Sequence, residues 1–267
     1  MSDELHIEVH GSGRPLLLLA GLAMDVTLWF GLVPALAGHF QVIIHDPRGS
    51  GRTKAGFESL DTAVMADDAL EVMNRLGIER AHVLGFSMGG MTAQVLAAKH
   101  PERIDRLVLA SSAASMGSAG VLAMRLVVKL FSSRHCMAHS GAAMLPWLLG
   151  ERGLKQQNVI DSLSRRKYVP TLAGFSAQCD ALCSHDGQQL LSRITAPTLC
   201  ISGDQDVLIP PVKARAMAKS LPDARFEDLP DCGHMCYLES LELFVRRVVN
   251  FLDAAPCSAL KIHPFGL

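Results

Sequence analysis

The chain has 267 residues, 49% of them hydrophobic and 19% charged, with a net charge of −1. That size and composition suit one large α/β domain carrying an inserted subdomain. The balanced charge, with no sustained basic or acidic run, argues against nucleic acid or an anionic membrane surface as a partner. The segment Met1-Ser2-Asp3-Glu4-Leu5-His6 has neither the basic nor the apolar region of a signal peptide. The longest unbroken apolar run, residues 16–20, is far too short to span a bilayer. A soluble cytoplasmic protein is expected, and its seven cysteines, an odd number, read as free thiols.

In chain order, His6-Ile7-Glu8-Val9-His10 alternates and predicts an exposed edge strand. Residues 15–20 form a buried strand that stops at Gly21. Gln41-Val42-Ile43-Ile44-His45 is another, closed by Asp46-Pro47-Arg48-Gly49-Ser50-Gly51. Residues 62–76 carry Met65, Leu70, Met73 and Leu76 at helical spacing, with Gly77 as the C-cap. A short apolar run at 81–85 leads through Ser87 into a helix starting near Gly89, and 106–110 reads as the next strand. From Ser111 to about Ile194 no convincing strand occurs, while 121–131 and 142–149 are helical. Strands resume at 197–202 and 224–229, and 241–252 is an amphipathic closing helix. The alternation implies a mostly parallel sheet covered on both faces. The expected divisions are a core in two parts, 1–112 and 195–255, a helical cap inserted at 113–194, and a tail at 256–267.

Gly85-Phe86-Ser87-Met88-Gly89 is a G-x-S-x-G pentapeptide between strand and helix. So tight a turn holds the serine in strained φ/ψ with its hydroxyl exposed above the sheet. Its glycines are needed where a Cβ would collide with the neighbouring strand or helix. Gly203-Asp204-Gln205-Asp206 and Gly233-His234 follow, so the order is Ser, Asp, His.

Together with Asp46-Pro47-Arg48-Gly49-Ser50-Gly51, these motifs resemble the α/β-hydrolase superfamily, over nearly the whole chain. The similarity is to its capped esterase and lactonase branch, which includes 3-oxoadipate enol-lactonases. Meta-cleavage-product hydrolases and cofactor-free perhydrolases are near relatives. The resemblance implies a doubly wound, mostly parallel eight-stranded sheet with an inserted helical cap; the apolar runs alone give seven strands.

By the same resemblance Ser87 is the nucleophile and His234 the base that takes its proton. An imidazole titrates near ~6.5 and can accept and return a proton around neutrality. The acid holds that imidazole in the right tautomer. Asp204 and Asp206 are both candidates. The family's G-x-x-D pattern followed by a proline fits Gly203, Asp206 and Pro210, which favours Asp206 and leaves Asp204 as a turn or capping residue. The oxyanion hole is expected from the backbone N–H groups of Met88, at a helix N-terminus, and Leu22. Here the chain departs from the family: the usual His-Gly at this turn is Ala20-Gly21, and enol-lactonases also often lack that histidine. A backbone donor survives that change, but a side chain that often braces the loop is lost.

Other signals are weaker. Cys232-Gly233-His234-Met235-Cys236 offers two thiols and an imidazole, yet no fourth ligand is evident and His234 is already assigned, so no metal site is expected. Gly11-Ser12-Gly13 and Gly49-Ser50-Gly51 complete no nucleotide-binding pattern and read as turns, so no cofactor is expected. Met124, Leu126, Phe131, Met137, Met144, Leu145, Trp147 and Leu148 suit an adaptable apolar pocket or a plain helical core. Trp29 and Phe30 belong either to that pocket or to simple packing. Arg125, Lys129, Arg134, Arg165 and Arg166 either greet a carboxylate or lie solvated on the surface. The reading is a serine hydrolase of a small-molecule carboxylic ester or lactone. Its rivals are C–C bond hydrolysis or perhydrolysis by the same triad, and a non-catalytic receptor on this fold. The oligomeric state is open, a homodimer included.

Overall fold

The computed structural model describes residues 4–29, 31–132, 140–164 and 167–254. Seven strands form one sheet among these residues: β1 (Ile7–His10), β2 (Pro15–Leu19), β3 (Gln41–His45), β4 (Ala81–Phe86), β5 (Ile104–Ala110), β6 (Thr198–Gly203) and β7 (Ala224–Leu229). Their order is β1-β3-β2-β4-β5-β6-β7, with β1 antiparallel to β3 and every other pair parallel. The seven are those the apolar runs predict; the eighth that the resemblance implied is not among them. A parallel strand needs a crossover, and helices supply it, so both faces of the sheet are covered.

β2 shows how the sequence does this. Its leucines alternate between two cores, Leu16 and Leu18 on one face, Leu17 and Leu19 on the other, all 0–2% exposed. Burying each contributes about 2 kcal/mol. The first face packs against α1 (Leu32–Ala37) and the closing helix (Leu241–Leu252) through Leu36, Phe244 and Val248. The second packs against α2 (Thr62–Arg75) and α3 (Met88–Lys99) through Ala69, Val72, Ala93 and Leu96. Asp61 starts α2 by accepting the N–H groups of Ala63 and Val64 at 2.8 Å, and Gly77 leaves it at φ 66°. α3 is buried from Met88 to Ala98, which its small apolar residues permit.

Between β5 and β6 lie α4 (Gly117–Ser132), α5 (Ser140–Leu148), α6 (Gln157–Ser164) and α7 (Leu172–Ser184). The first contains the helical pattern expected at 121–131, and the second covers 142–148 of the one expected at 142–149. After β6 come α8 (Pro211–Ser220), β7, α9 (Cys236–Glu239) and the closing helix, α10. No described helix is long and apolar enough to cross a membrane. The expected tail at 256–267, with Phe30, Arg134, Cys136, Met137, Arg165 and Arg166, lies outside the described residues.

His185 ends α7, buried, with Nδ1 3.0 Å from Thr62 Oγ1 at the start of α2. Burial pushes its imidazole down from 6.5 to about 4. The unfolded chain therefore takes up this proton near pH 6.5, while the folded chain resists it until near pH 4. Stability present above pH 6.5 is lost as the pH falls through that window, by about 3 kcal/mol in full. In His185→Gln the difference in urea midpoint between pH 7.5 and pH 5 is expected to shrink. An unchanged difference would place the acid sensitivity elsewhere.

Candidate active site

The sheet reverses direction of build between β2 and β4: the chain goes from β2 to β3 on one side and then to β4 on the other. Loops leaving the carboxyl ends of two such strands diverge and open a crevice. Gly21 and Leu22 leave β2 there, and Ser87 leaves β4.

Ser87 joins β4 to α3 at φ 55° and ψ −119°, a left-handed conformation uncommon outside glycine. Its N–H donates to the Ala110 carbonyl of β5 at 2.8 Å, which helps hold the turn. A Cβ on Gly85 would lie 2.6 Å from Gly90 Cα, and one on Gly89 would lie 2.7 Å from the Ala20 carbonyl oxygen. The pentapeptide glycines are thus required by close backbone approach.

Residues far apart in sequence converge here. Ser87 Oγ is 2.9 Å from His234 Nε2, and His234 Nδ1 is 2.8 Å from Asp206 Oδ2. Asp206 Oδ1 accepts the N–H groups of Leu208 at 2.9 Å and Ile209 at 2.8 Å, so the carboxylate is fixed on both oxygens. All three side chains are buried. Asp204 lies apart: it is exposed, and its Oδ1 accepts the Cys232 N–H at 3.3 Å. The structure therefore brings Asp206, not Asp204, to the imidazole.

Met88 opens α3, so its N–H points from a helix N-terminus, where the dipole favours negative charge. Leu22 lies in the loop after β2. That loop is tied by Met24 N–H to the Gly21 carbonyl at 3.1 Å and by Ala23 N–H to Gln178 Oε1 at 2.7 Å. Leu22, Phe131, Met144 and Trp147 join one apolar cluster with Met88 and Phe175, and Phe131 stacks on Phe175 with centroids 4.6 Å apart. Trp29 does not belong there. It is 1% exposed in the core beneath, against the rings of Phe86 and Tyr237, so simple packing is its place. Leu145 and Leu148 face that same core from the other side of α5. Leu126 points outward and is exposed, as are Arg125 and Lys129.

Several residues of the site carry no sequence signal. Ser111 Oγ donates to the His234 carbonyl at 2.8 Å. Glu239 accepts Gly233 N–H on Oε1 and Gly150 N–H on Oε2, both at 2.8 Å, and so ties the base loop to the inserted segment. Burial pushes the Glu239 carboxyl up, and these N–H groups oppose the shift. Gln178 ties the same segment to the loop after β2. The described cysteines are free. Cys232 and Cys236 flank His234 as buried thiols, and burial raises that of Cys232 to about 11. Gly49-Ser50-Gly51 wraps Asp46, whose Oδ2 accepts the Arg52 N–H at 2.7 Å, and is a turn.

Residues 14–241 match the family model described as the alpha/beta hydrolase fold. "Putative carbamate hydrolase RutD" of Caulobacter sp. (strain K31) is 30% identical over 261 residues, covering 94% of this chain and 96% of that protein. Among solved structures, the enol-lactonase from Burkholderia xenovorans LB400 is 29% identical with a TM-score of 0.82, over 94% of this chain and 96% of that one. A thermophilic esterase from Thermogutta terrifontis is 28% identical with a TM-score of 0.84, over 93% and 92%.

Proposed function

The chain belongs to the α/β-hydrolase fold family, and on that premise we propose that it is a cofactor-independent serine hydrolase that cleaves a carboxylic ester or lactone. The observation that carries this is the continuous relay from Asp206 through His234 to Ser87, with contacts of 2.8 and 2.9 Å. His234 Nε2 takes the hydroxyl proton as Ser87 Oγ bonds to the carbonyl carbon. The carbonyl oxygen becomes an oxyanion, received by the N–H groups of Met88 and Leu22. Collapse breaks the carbon–oxygen bond to the leaving group, and His234 returns the proton to that alcohol or enol. Water then gives its proton to His234 as it attacks the acyl carbon, and His234 passes that proton to Ser87 Oγ as the carbon–Oγ bond breaks and the acid leaves. Asp206 stays ionised, keeping Nδ1 protonated and Nε2 free as the base. The apolar side chains of Leu22, Phe131, Met144 and Trp147 support an apolar acyl or ring group beside Ser87.

A carbamate is the second reading, favoured by the name of the relative from Caulobacter. The same attack on a carbamate carbonyl leaves a carbamoyl-enzyme, whose nitrogen lone pair slows its hydrolysis. The test is a panel of p-nitrophenyl esters of graded acyl length, a set of lactones, a p-nitrophenyl carbamate and a dienoate diketone. Turnover of esters or lactones, with a burst of one p-nitrophenol per Ser87, is the expected result. Preferred turnover of the carbamate would support the second reading. Preferred turnover of the diketone would move the reaction to a C–C bond, and a folded protein turning over none of them would leave two readings, a site that admits only a particular lactone or diketone, or a fold used to bind and not to cut.

A further inference from the structure

We propose that Gln178 is a positioning residue for the oxyanion hole, through which the inserted helical segment sets how well the hole fits the transition state. The inference rests on the serine hydrolase reading above.

Gln178 lies on α7, fully buried and 155 residues from Ala23. Its Oε1 accepts the Ala23 N–H at 2.7 Å, and its Nε2 donates to the Arg48 carbonyl at 2.7 Å and to Ser50 Oγ at 3.0 Å. The orientation of this amide is dictated by its partners, because a backbone N–H can only donate and a backbone carbonyl can only accept. It is therefore a bridge between two core loops, the one after β2 and the one after β3.

What the bridge fixes is the loop that offers Leu22 N–H. The peptide carrying that N–H also carries the Gly21 carbonyl, which accepts from Met24 N–H at 3.1 Å. A trans peptide is planar, so holding its C=O aims its N–H the opposite way. The next peptide, Leu22–Ala23, is held by Gln178. Between them the two contacts fix both peptide planes that flank Leu22. Ala23 has φ 59°, a conformation that costs a non-glycine residue about 1–2 kcal/mol and that persists only where partners hold it. Ala20, just before this turn, has only a methyl group and cannot brace it. The brace comes from the inserted segment instead.

The helix that delivers Gln178 is seated firmly. Gly174, one turn earlier on the same face, lies against Gly49 so closely that a Cβ there would be 2.9 Å from Gly49 Cα. On its other side α7 packs against α4, with Phe175 stacked on Phe131 within the apolar cluster that also holds Met88 and Leu22. One helix thus touches both the acyl-side cluster and the oxyanion loop.

The test compares the wild type with Gln178→Met, which keeps length and apolar bulk and removes every hydrogen bond, and with Gln178→Glu, which keeps the acceptor for Ala23. Rates are read per burst site, so unfolded chains do not count. In Gln178→Met, kcat on a p-nitrophenyl ester is expected to fall roughly 10- to 100-fold while KM stays within about 3-fold, somewhat less than the loss of a whole oxyanion donor. A boronic acid that mimics the tetrahedral intermediate is expected to bind more weakly by the same factor. Amide hydrogen exchange in residues 20–26 is expected to speed up in Gln178→Met and to recover in part in Gln178→Glu. Unchanged kcat and boronate affinity, or a loss confined to KM, would overturn the role of Gln178 while leaving the hydrolase reading intact. Absence of any Ser87-dependent turnover in the wild type would overturn both.

Discussion

Ser87→Ala is expected to lower kcat on a p-nitrophenyl ester by about 10⁴-fold or more and to abolish the burst. Nucleophile, base and acid work as a unit, so removal of the nucleophile costs nearly all of what the triad supplies. A small residual rate over water is expected from the oxyanion donors and from binding. The fold should survive. Alanine inherits the left-handed backbone at φ 55° and keeps the N–H bond to Ala110 that holds the turn. The loss is one hydrogen bond at 2.9 Å to His234 Nε2, which leaves that buried nitrogen short of a partner at a cost of about 1–3 kcal/mol. Steady-state kinetics beside a urea melt separates the two effects. Retained turnover in the folded variant would remove Ser87 from the reaction and with it the proposed mechanism.

Much of this was legible because it is local. The leucines of β2 read as a strand buried on both faces, and they divide between two cores. The nucleophile turn is visible because its G-x-S-x-G pattern is contiguous in sequence, although only Gly85 is fixed locally, against Gly90, while Gly89 is fixed by the distant Ala20 carbonyl. The Leu241–Leu252 helix was visible from its apolar stripe alone. The residues that steady the site were not visible, because their partners are distant. Gln178 reaches Ala23 across 155 positions and Glu239 reaches Gly150 across 89. A buried glutamine or glutamate in a helical stretch looks no different from a solvated one until tertiary packing is known. Helix α7 carries no legible helical stripe for a related reason. With Gly174, Phe175, Gln178, Cys179 and Ala181 all buried, it has no clean polar face to set against an apolar one. Trp29 shows the same limit in an aromatic residue. An aromatic residue beside the loop after β2 can face the crevice or the core, and only the rings of Phe86 and Tyr237 decide it.

Asp206→Asn is expected to lower kcat by about 10⁴-fold, and Asp204→Asn by less than about 3-fold. The argument turns on which way the new amide can point. Asp206 Oδ1 accepts two backbone N–H groups, from Leu208 and Ile209. Asparagine must keep its carbonyl oxygen there, since an amide NH₂ would face two donors. Its NH₂ is then forced into the place of Oδ2, 2.8 Å from His234 Nδ1. A donor at that position makes Nδ1 the acceptor and moves the ring proton to Nε2. In that tautomer Nε2 cannot take the proton of Ser87, although every heavy atom stays where it was. Asp204 has no such leverage. Its Oδ1 accepts a single N–H, that of Cys232 at 3.3 Å, and an asparagine carbonyl accepts it equally well. Burst-normalised kcat for the two variants, measured side by side, checks this. Comparable losses would mean that the carboxylate acts through the loop before His234 and not through the imidazole tautomer.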